Sequence, residues 1–397
     1  MDPTEHSGYA DFKWAVELNR YSLELIGLWP KMEETTREKL IANIRVFLLI
    51  IMVTFVCVIP CIHSLIRVWG DLMSMTDNLQ FTLPLVSMIM KLVIMWSKRA
   101  ALAPILHMIA KDWLSLKSDQ ERTIMIRCAR IPRMIIICGF VVMFASFILL
   151  FILPCFGITM RYITNVTDPG KPLPLQTYYL YDTDTSPYFE LTFLAQGITL
   201  MISAMGYTAI DSLFGLLIFH VCGQLKNLKD RLTDERDSNF DRVLADAVTN
   251  HVRLIRCIEV IENMFTLMLL GLFLYFGTLF CLYGFLLVTV VTDGRHLSLV
   301  RLLFLITVLA NIFGHMCLYC AVGEFLITQC ESISRAACEY RWYELEAKQA
   351  RNLILLMMRA NKPLYVTVGK IFPLTMNAFC NLLKTSGGYI SVLLARD

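Results

Sequence analysis

The sequence predicts an all-α integral membrane protein. It has seven transmembrane helices, a cytoplasmic N-terminus, an extracellular C-terminus and a cytoplasmic helical domain. Three observations carry this. Apolar residues make up 56% of the 397-residue chain, and they gather in seven long blocks. Lysine and arginine concentrate in alternate segments between those blocks. The blocks lack the period-two alternation of barrel strands, which leaves the helix as the form that satisfies its own backbone in lipid.

A hydrocarbon core about 30 Å thick needs roughly 20 apolar helical residues. The blocks 43–66, 74–96, 134–156, 188–220, 262–291, 299–328 and 371–394 meet that length. The fourth, fifth and sixth exceed it by about ten residues, so these helices are expected to run on into the cytoplasm and pack there. The segments beyond them read as helix as well. In 329–362, Ile333, Ala336, Tyr340, Tyr343, Ala347, Ala350 and Ile354 recur at helical steps between charges. The chain therefore divides into an N-terminal helical segment (1–42), a six-helix region (43–328), cytoplasmic helices (329–370) and a last spanning helix (371–397). The first 42 residues carry no apolar run of signal-peptide kind.

Orientation follows from the basic residues. The segments 1–42, 97–133, 221–261 and 329–370 hold 27 Lys and Arg, and the segments on the other side hold 5. Per residue that is about one in six against about one in ten, which puts the N-terminus inside. The sequon Asn165-Val166-Thr167 falls in the long segment 157–187, on the predicted outer side, and Asn165 is a candidate glycosylation site.

Several classes are excluded. Only 17% of residues are charged and the net charge is +3, which rules out disorder and gives no footprint for nucleic acid. The thirteen cysteines lie in the blocks or the cytoplasmic segments, so no disulfide framework is expected. Cys317-x-x-Cys320, on a lipid-embedded helix, reads as packing and not as a metal half-site. No phosphate-binding loop, zinc motif, nucleophile elbow or dinucleotide motif appears, so neither an enzyme nor a cofactor is expected. Asp211 and Glu324 sit in the inner parts of their blocks, where ordinary salt bridges near the cytoplasm are expected.

The last block differs from the rest. Asn377, Asn381, Lys384, Gly388 and Ser391/Val392 share one helical face, with Thr385 beside it. A polar stripe with a lysine is costly against lipid. Two readings remain open: a helix buried against its neighbours with Lys384 paired to a carboxylate, or one wall of a water-filled path closed by several subunits.

The C-terminal stretch resembles the insect odorant receptors, most of all the tuning receptors of ants, bees and wasps. The matching residues are Gly323-Glu324-Phe325-Leu326, Trp342-Tyr343 with Leu345, Arg351, Leu353, Arg359-Ala360-x-x-Pro363-Leu364, Gly369-Lys370-x-Phe372, Phe379, Lys384-Thr385-Ser386 and Tyr389-x-Ser391-Val392-Leu393. Weaker matches are Thr82-Leu83-Pro84 with Lys91, and His220-x-Cys222-x-x-Leu225.

The resemblance implies a tetrameric ligand-gated cation channel with shared co-receptor subunits, sited in the plasma membrane of sensory dendrites. It implies that the last helix lines the pore (Asn377, Asn381, Lys384, Gly388, Val392). It also implies that the cytoplasmic helices anchor the tetramer through Trp342, Tyr343, Leu345 and Leu353. The co-receptor's long insertion between spans four and five is missing from 221–261, so the chain resembles a tuning subunit. Tyr389 and Val392 match the family's gate, and Arg396 stands where a second gate hydrophobe is expected.

A small volatile odorant needs an enclosed, aromatic pocket with few polar groups. In the outer halves of blocks two to six the candidates are Leu83, Ser87, Met143, Phe147, Phe193, Gln196, Leu200, Phe276, Phe280, Tyr283 and Phe304. Gln196 and Tyr283 are the expected orienting groups, and Ser87 a third. For each aromatic alone, plain helix packing is the competing reading. The competing function is a seven-helix G-protein-coupled receptor, which the inside N-terminus disfavours.

Overall fold

The computed structural model describes residues 3–31, 33–115, 118–156, 170–233, 240–292, 299–362 and 364–394. Among them, α1 (Pro3–Leu25) precedes the first apolar block. That block folds as α2 (Thr36–Met52), a π-helical turn (Val53–Val58) and α3 (Ile59–Arg67). Pro60 opens α3, and its missing N–H is where regular i→i−4 bonding cannot continue. The next blocks give α4 (Leu72–Leu114), α5 (Asp119–Phe147), α6 (Tyr188–Thr233), α7 (Phe240–Thr292) and α8 (Leu299–Glu339). After α5 the chain passes through a second π turn and a short 3-10 turn (Leu153–Phe156) containing Pro154. Then come α9 (Ala347–Ala360), the strands β1 (Thr367–Val368) and β2 (Phe372–Pro373), and α10 (Met376–Leu394).

Six of these stretches are long and apolar enough to cross a membrane, and α10 is the seventh block. The extension of α6, α7 and α8 is as expected. They hold 46, 53 and 41 residues, which at about 1.5 Å each is roughly twice the hydrocarbon thickness. Two expectations are corrected. The seventh helix begins at Met376 and not at 371, because 367–373 forms an antiparallel hairpin whose turn holds Gly369 and Lys370 at positive φ. The segment 329–370 is not helical throughout: α8 ends at Glu339, a 3-10 turn covers Trp342–Glu344, and α9 ends at Ala360. An unforeseen feature is that α4 also runs 43 residues, past its block. Its buried residues Leu85, Met88, Leu92, Met95, Arg99, Leu102, Leu106, Ile109 and Trp113 repeat at steps of three and four.

The core is built on α6. Almost every residue from Ala209 to Leu225 is buried, the signature of a helix surrounded on all sides. By contrast only 11% of the apolar window of α5 is buried, so its outward face is left for lipid. Helix α1 lies against α4, α5 and α6, with Ala15, Val16 and Leu23 turned inward. A hydrogen bond from Ser212 to Asn19 (2.6 Å) holds it on α6. At the turn after α1, Gly27 has φ +84°, and a Cβ there would lie 2.4 Å from the Ala42 carbonyl oxygen.

Candidate functional site

Helix α10 has two unlike faces. One packs on α7 and α8. Phe379 and Ser386 are buried there, and Phe379 meets Phe313 edge-on at 5.0 Å. Gly277, Cys281 and Gly284 form a small-residue stripe on α7 under α10. A Cβ on Gly284 would lie 2.3 Å from Ile390, and one on Gly277 would lie 3.2 Å from Leu382. The other face is bare: Asn377, Asn381, Lys384, Thr385, Gly388, Tyr389 and Ser391 are all exposed. Nothing in the chain lies within 4 Å of where a Cβ on Gly387 or Gly388 would stand. Lys384 forms no ion pair among the described residues. The side chain of Val392 and the whole of Arg396 lie outside the described residues, as does Asn165.

Among the described residues Glu324 forms no salt bridge of the expected kind. Its carboxylate accepts the backbone N–H of Met376 at 3.2 Å, a charge at the N-terminus of α10. The sequence match around Gly323-Glu324 thus coincides with the seat of the last helix. A Cβ on Gly323 would lie 2.2 Å from the Leu374 carbonyl oxygen.

The pocket candidates separate into groups. Phe147 stacks on Phe151 at 4.9 Å, and Phe151 meets Phe193 at a tilt at 4.5 Å, joining the chain just after α5 to the N-terminal end of α6. Sequence reasoning missed Phe151, whose ring lies against Gly197. Phe276, Phe280 and Tyr283 are buried on α7, and the Tyr283 hydroxyl donates to Gln80 Oε1 on α4 at 2.6 Å. Among the described residues no ring contact joins the two aromatic groups. Met143 is buried, Leu83 and Leu200 are half-buried, and the Ser87 hydroxyl donates to the Pro84 carbonyl at 2.9 Å. The side chain of Phe304 lies outside the described residues.

Gln196 is fully buried, but its hydrogen bonds are already taken. It accepts from the Leu175 N–H at 3.2 Å and donates to Thr177 at 3.0 Å and Tyr179 at 2.9 Å. Tyr179 donates in turn to the Val56 carbonyl, and Asn78 donates to the Cys61 and Gln176 carbonyls. Residues 173–177 are buried by these bonds, so the segment is folded into the end of the bundle. Its signal in the sequence was the pair of strong amides, Asn78 and Gln196, within apolar blocks. Gln196→Ala leaves the Leu175 N–H and two hydroxyls without their partner, and limited proteolysis after Tyr178–Tyr181 should become faster in that variant.

Below Phe276 lies a buried polar node. Lys91 of α4 is 0% exposed, and its Nζ is 2.5 Å from Asp211 Oδ1 on α6. Asp211 also accepts from Tyr319 Oη at 2.5 Å, and its Oδ2 is 2.8 Å from His315 Nε2; both partners are on α8. The Lys91 ammonium stands 3.1 Å from the centre of the Tyr207 ring. His315 stacks on Tyr319 and sits 5.6 Å from Phe276. Asp211 does form a salt bridge, as expected, but inside the bundle and not at a wet cytoplasmic surface. Burial is sustained because three donors from α4 and α8 face the carboxylate.

The four anchor candidates also divide. Trp342 and Tyr343 are exposed and meet edge-on at 6.0 Å. Leu345 is half-buried, and Leu353 belongs with Leu356 to the chain's own core. Ile354, Leu355 and Met358 leave the opposite side of α9 apolar and exposed.

Comparison with known proteins places this architecture. A family model described as 7tm Odorant receptor matches residues 71–387. The chain is 27% identical to Odorant receptor 10 of Aedes albopictus over 215 residues, 52% of this chain, and spans just over half (56%) of that relative's length. It is 23% identical to Odorant receptor Or2 of Anopheles gambiae over 339 residues, covering 82% of this chain and 85% of the relative. The solved structure of the insect olfactory receptor OR5 from Machilis hrabei in complex with eugenol superposes with a TM-score of 0.81 over 100% of both chains, at 16% identity. At that identity the likeness is one of fold.

Proposed function

This chain belongs to the insect odorant receptor family, and from that premise we propose that it is a tuning subunit of a heteromeric ligand-gated, non-selective cation channel. A small volatile odorant binds in the outer half of the bundle, and shared co-receptor subunits complete a tetramer. The N-terminus is cytoplasmic, the channel sits in the plasma membrane, and α10 lines the conduit. The observation that carries this reading is the bare polar face of α10. A lysine, two asparagines and two glycines left uncovered on a spanning helix need water or another subunit opposite them. The eugenol complex of the Machilis receptor supports the odorant as ligand class.

Within the pocket, Met143, Phe147, Phe193 and Leu200 supply apolar wall, and Phe276, Phe280 and Tyr283 face them from α7. Tyr283 is the orienting group, because its hydroxyl can still accept a hydrogen bond while it donates to Gln80. Gln196 acts indirectly by holding 173–177 in place.

Two measurements test these assignments. Cysteines introduced at Asn381 and Gly388 should react with a water-soluble thiol reagent when odorant opens the channel; if neither reacts in the open state, α10 does not line the conduit. Tyr283→Phe and Phe280→Ala should each move the odorant dose response by roughly tenfold, the equivalent of about 1.4 kcal/mol per lost contact. Curves that overlay the wild type would place the pocket elsewhere.

A further inference from the structure

Tyr283 does not stand alone. Its hydroxyl begins a chain of three side chains between the C-terminal part of α7 and the N-terminal part of α4. Tyr283 Oη donates to Gln80 Oε1 at 2.6 Å, and Gln80 Nε2 donates to Asp77 Oδ1 at 2.9 Å. Gln80 is half-buried and Asp77 is buried. The direction of the chain is fixed at its far end. A carboxylate only accepts, so the amide must turn its NH2 group to Asp77. That turns Oε1 toward Tyr283, and a carbonyl oxygen also only accepts. The Tyr283 proton is therefore committed to Gln80, and what the hydroxyl has left is a lone pair.

The other polar candidates of the pocket are spent in the same sense. The Ser87 proton goes to the Pro84 carbonyl, and the Gln196 amide donates to Thr177 and to Tyr179. Gln196 Oε1 is taken by the Leu175 N–H. The remaining candidates, Leu83, Met143, Leu200 and the phenylalanines, have no hydrogen-bonding side chain. No candidate side chain is left with a proton to give, while Tyr283 keeps an acceptor.

Resting on the pocket proposed above, we infer that its ligand is a hydroxyl-bearing volatile, an alcohol or a phenol, whose O–H donates to Tyr283 Oη. Gln80 and Asp77 are positioning residues that set this preference through Tyr283. A ketone, aldehyde or ether of the same skeleton brings lone pairs to a lone pair and forms no hydrogen bond there. A protonated amine would enter an apolar site with no carboxylate among its candidate residues.

The test co-expresses this chain with the co-receptor and records dose responses to matched hydroxyl, carbonyl and methyl ether volatiles, among them benzyl alcohol with benzaldehyde and phenol with anisole. In the wild type the hydroxyl member should be the more potent by roughly tenfold, the effect of about one hydrogen bond. Equal potency, a more potent carbonyl or ether partner, or no response to any hydroxyl member overturns the assignment. Gln80→Met releases the Tyr283 proton, which can then be given to a carbonyl. In that variant the carbonyl member should gain about tenfold on its alcohol. A purely structural tie between α4 and α7 predicts instead that both members weaken together, and that result overturns the role of Gln80. Tyr283→Phe should weaken the hydroxyl member by about tenfold and bring the pair within about twofold of each other. It decides the ligand class even if Gln80→Met does not reach the cell surface. If Tyr283→Phe moves neither member, the pocket reading itself falls and this assignment with it. If it weakens both by the same factor, the pocket stands and the hydroxyl assignment falls.

Discussion

Asp211→Ala should remove most folded receptor from the membrane. The substitution leaves Lys91 fully buried with no carboxylate, and strips His315 and Tyr319 of their common acceptor. Breaking a buried pair from one side typically costs about 3–5 kcal/mol, a large part of the stability of a folded domain. Asp211→Asn should recover little, because the amide keeps the shape but not the charge. The double variant Lys91→Met/Asp211→Leu is the informative control. It removes both charges at similar volume and should restore much of the folded protein, as replacing a whole buried pair is often neutral. Yield of monodisperse complex by fluorescence size-exclusion checks all three. If Asp211→Ala purifies like the wild type, the node carries no structural weight. The node also joins α4, α6 and α8 directly below Phe276.

The second large effect is expected at α9. Leu355→Glu with Met358→Glu places two charges on an exposed apolar surface without touching the chain's own core, since Leu353 and Leu356 point the other way. Apolar side chains left bare on a segment outside the apolar blocks mark an interface. Central interface residues each contribute about 2 kcal/mol or more, so two buried carboxylates should weaken assembly by a thousandfold or more, about 4 kcal/mol. Pull-down of co-expressed co-receptor through a tag on this chain should fall to background, with surface-independent expression unchanged. Trp342→Ala should produce a smaller loss of the same kind. An intact complex in the double glutamate variant would assign the exposed face of α9 to something other than assembly.

Much of the fold was legible because hydropathy and length act locally. Seven apolar blocks have one solution in lipid, and the structure turns six of them into helix and the seventh into helix from Met376 on. The excess length of blocks four to six, read as extension past the bilayer, matches α6, α7 and α8. The polar face of α10 was equally legible, because Asn377, Asn381, Lys384 and Gly388 repeat at helical steps on one short element. What hydropathy could not reach is pairing between distant positions. Lys91 and Asp211 are 120 positions apart, and each alone reads as an odd charge near a block edge. Gln196 reads as a ligand-orienting amide until the segment it binds is seen folded over it. The hairpin at 367–373 escaped because two-residue strands have no measurable period. Its turn instead needed the positive φ of Gly369 and Lys370. The start of α10 moved for the same reason. Glu324, assigned to an ordinary salt bridge, turned out to hold the backbone N–H of Met376, a role that only the packing of α8 beside α10 reveals.

The proposed place of α10 in the ion path is tested most directly at Lys384. Its side chain is exposed on the polar face and is the one ionised group among the described residues of that face. Odorant-evoked current should be recorded in excised patches, without nucleotides, from cells expressing this chain with the co-receptor. Lys384→Glu reverses a charge in the conduit and should raise calcium permeability relative to sodium, or deepen block by external divalent cations. It should do so without moving the odorant concentration for half-activation. Unchanged permeability and block in Lys384→Glu, at normal expression and normal odorant response, would contradict the account.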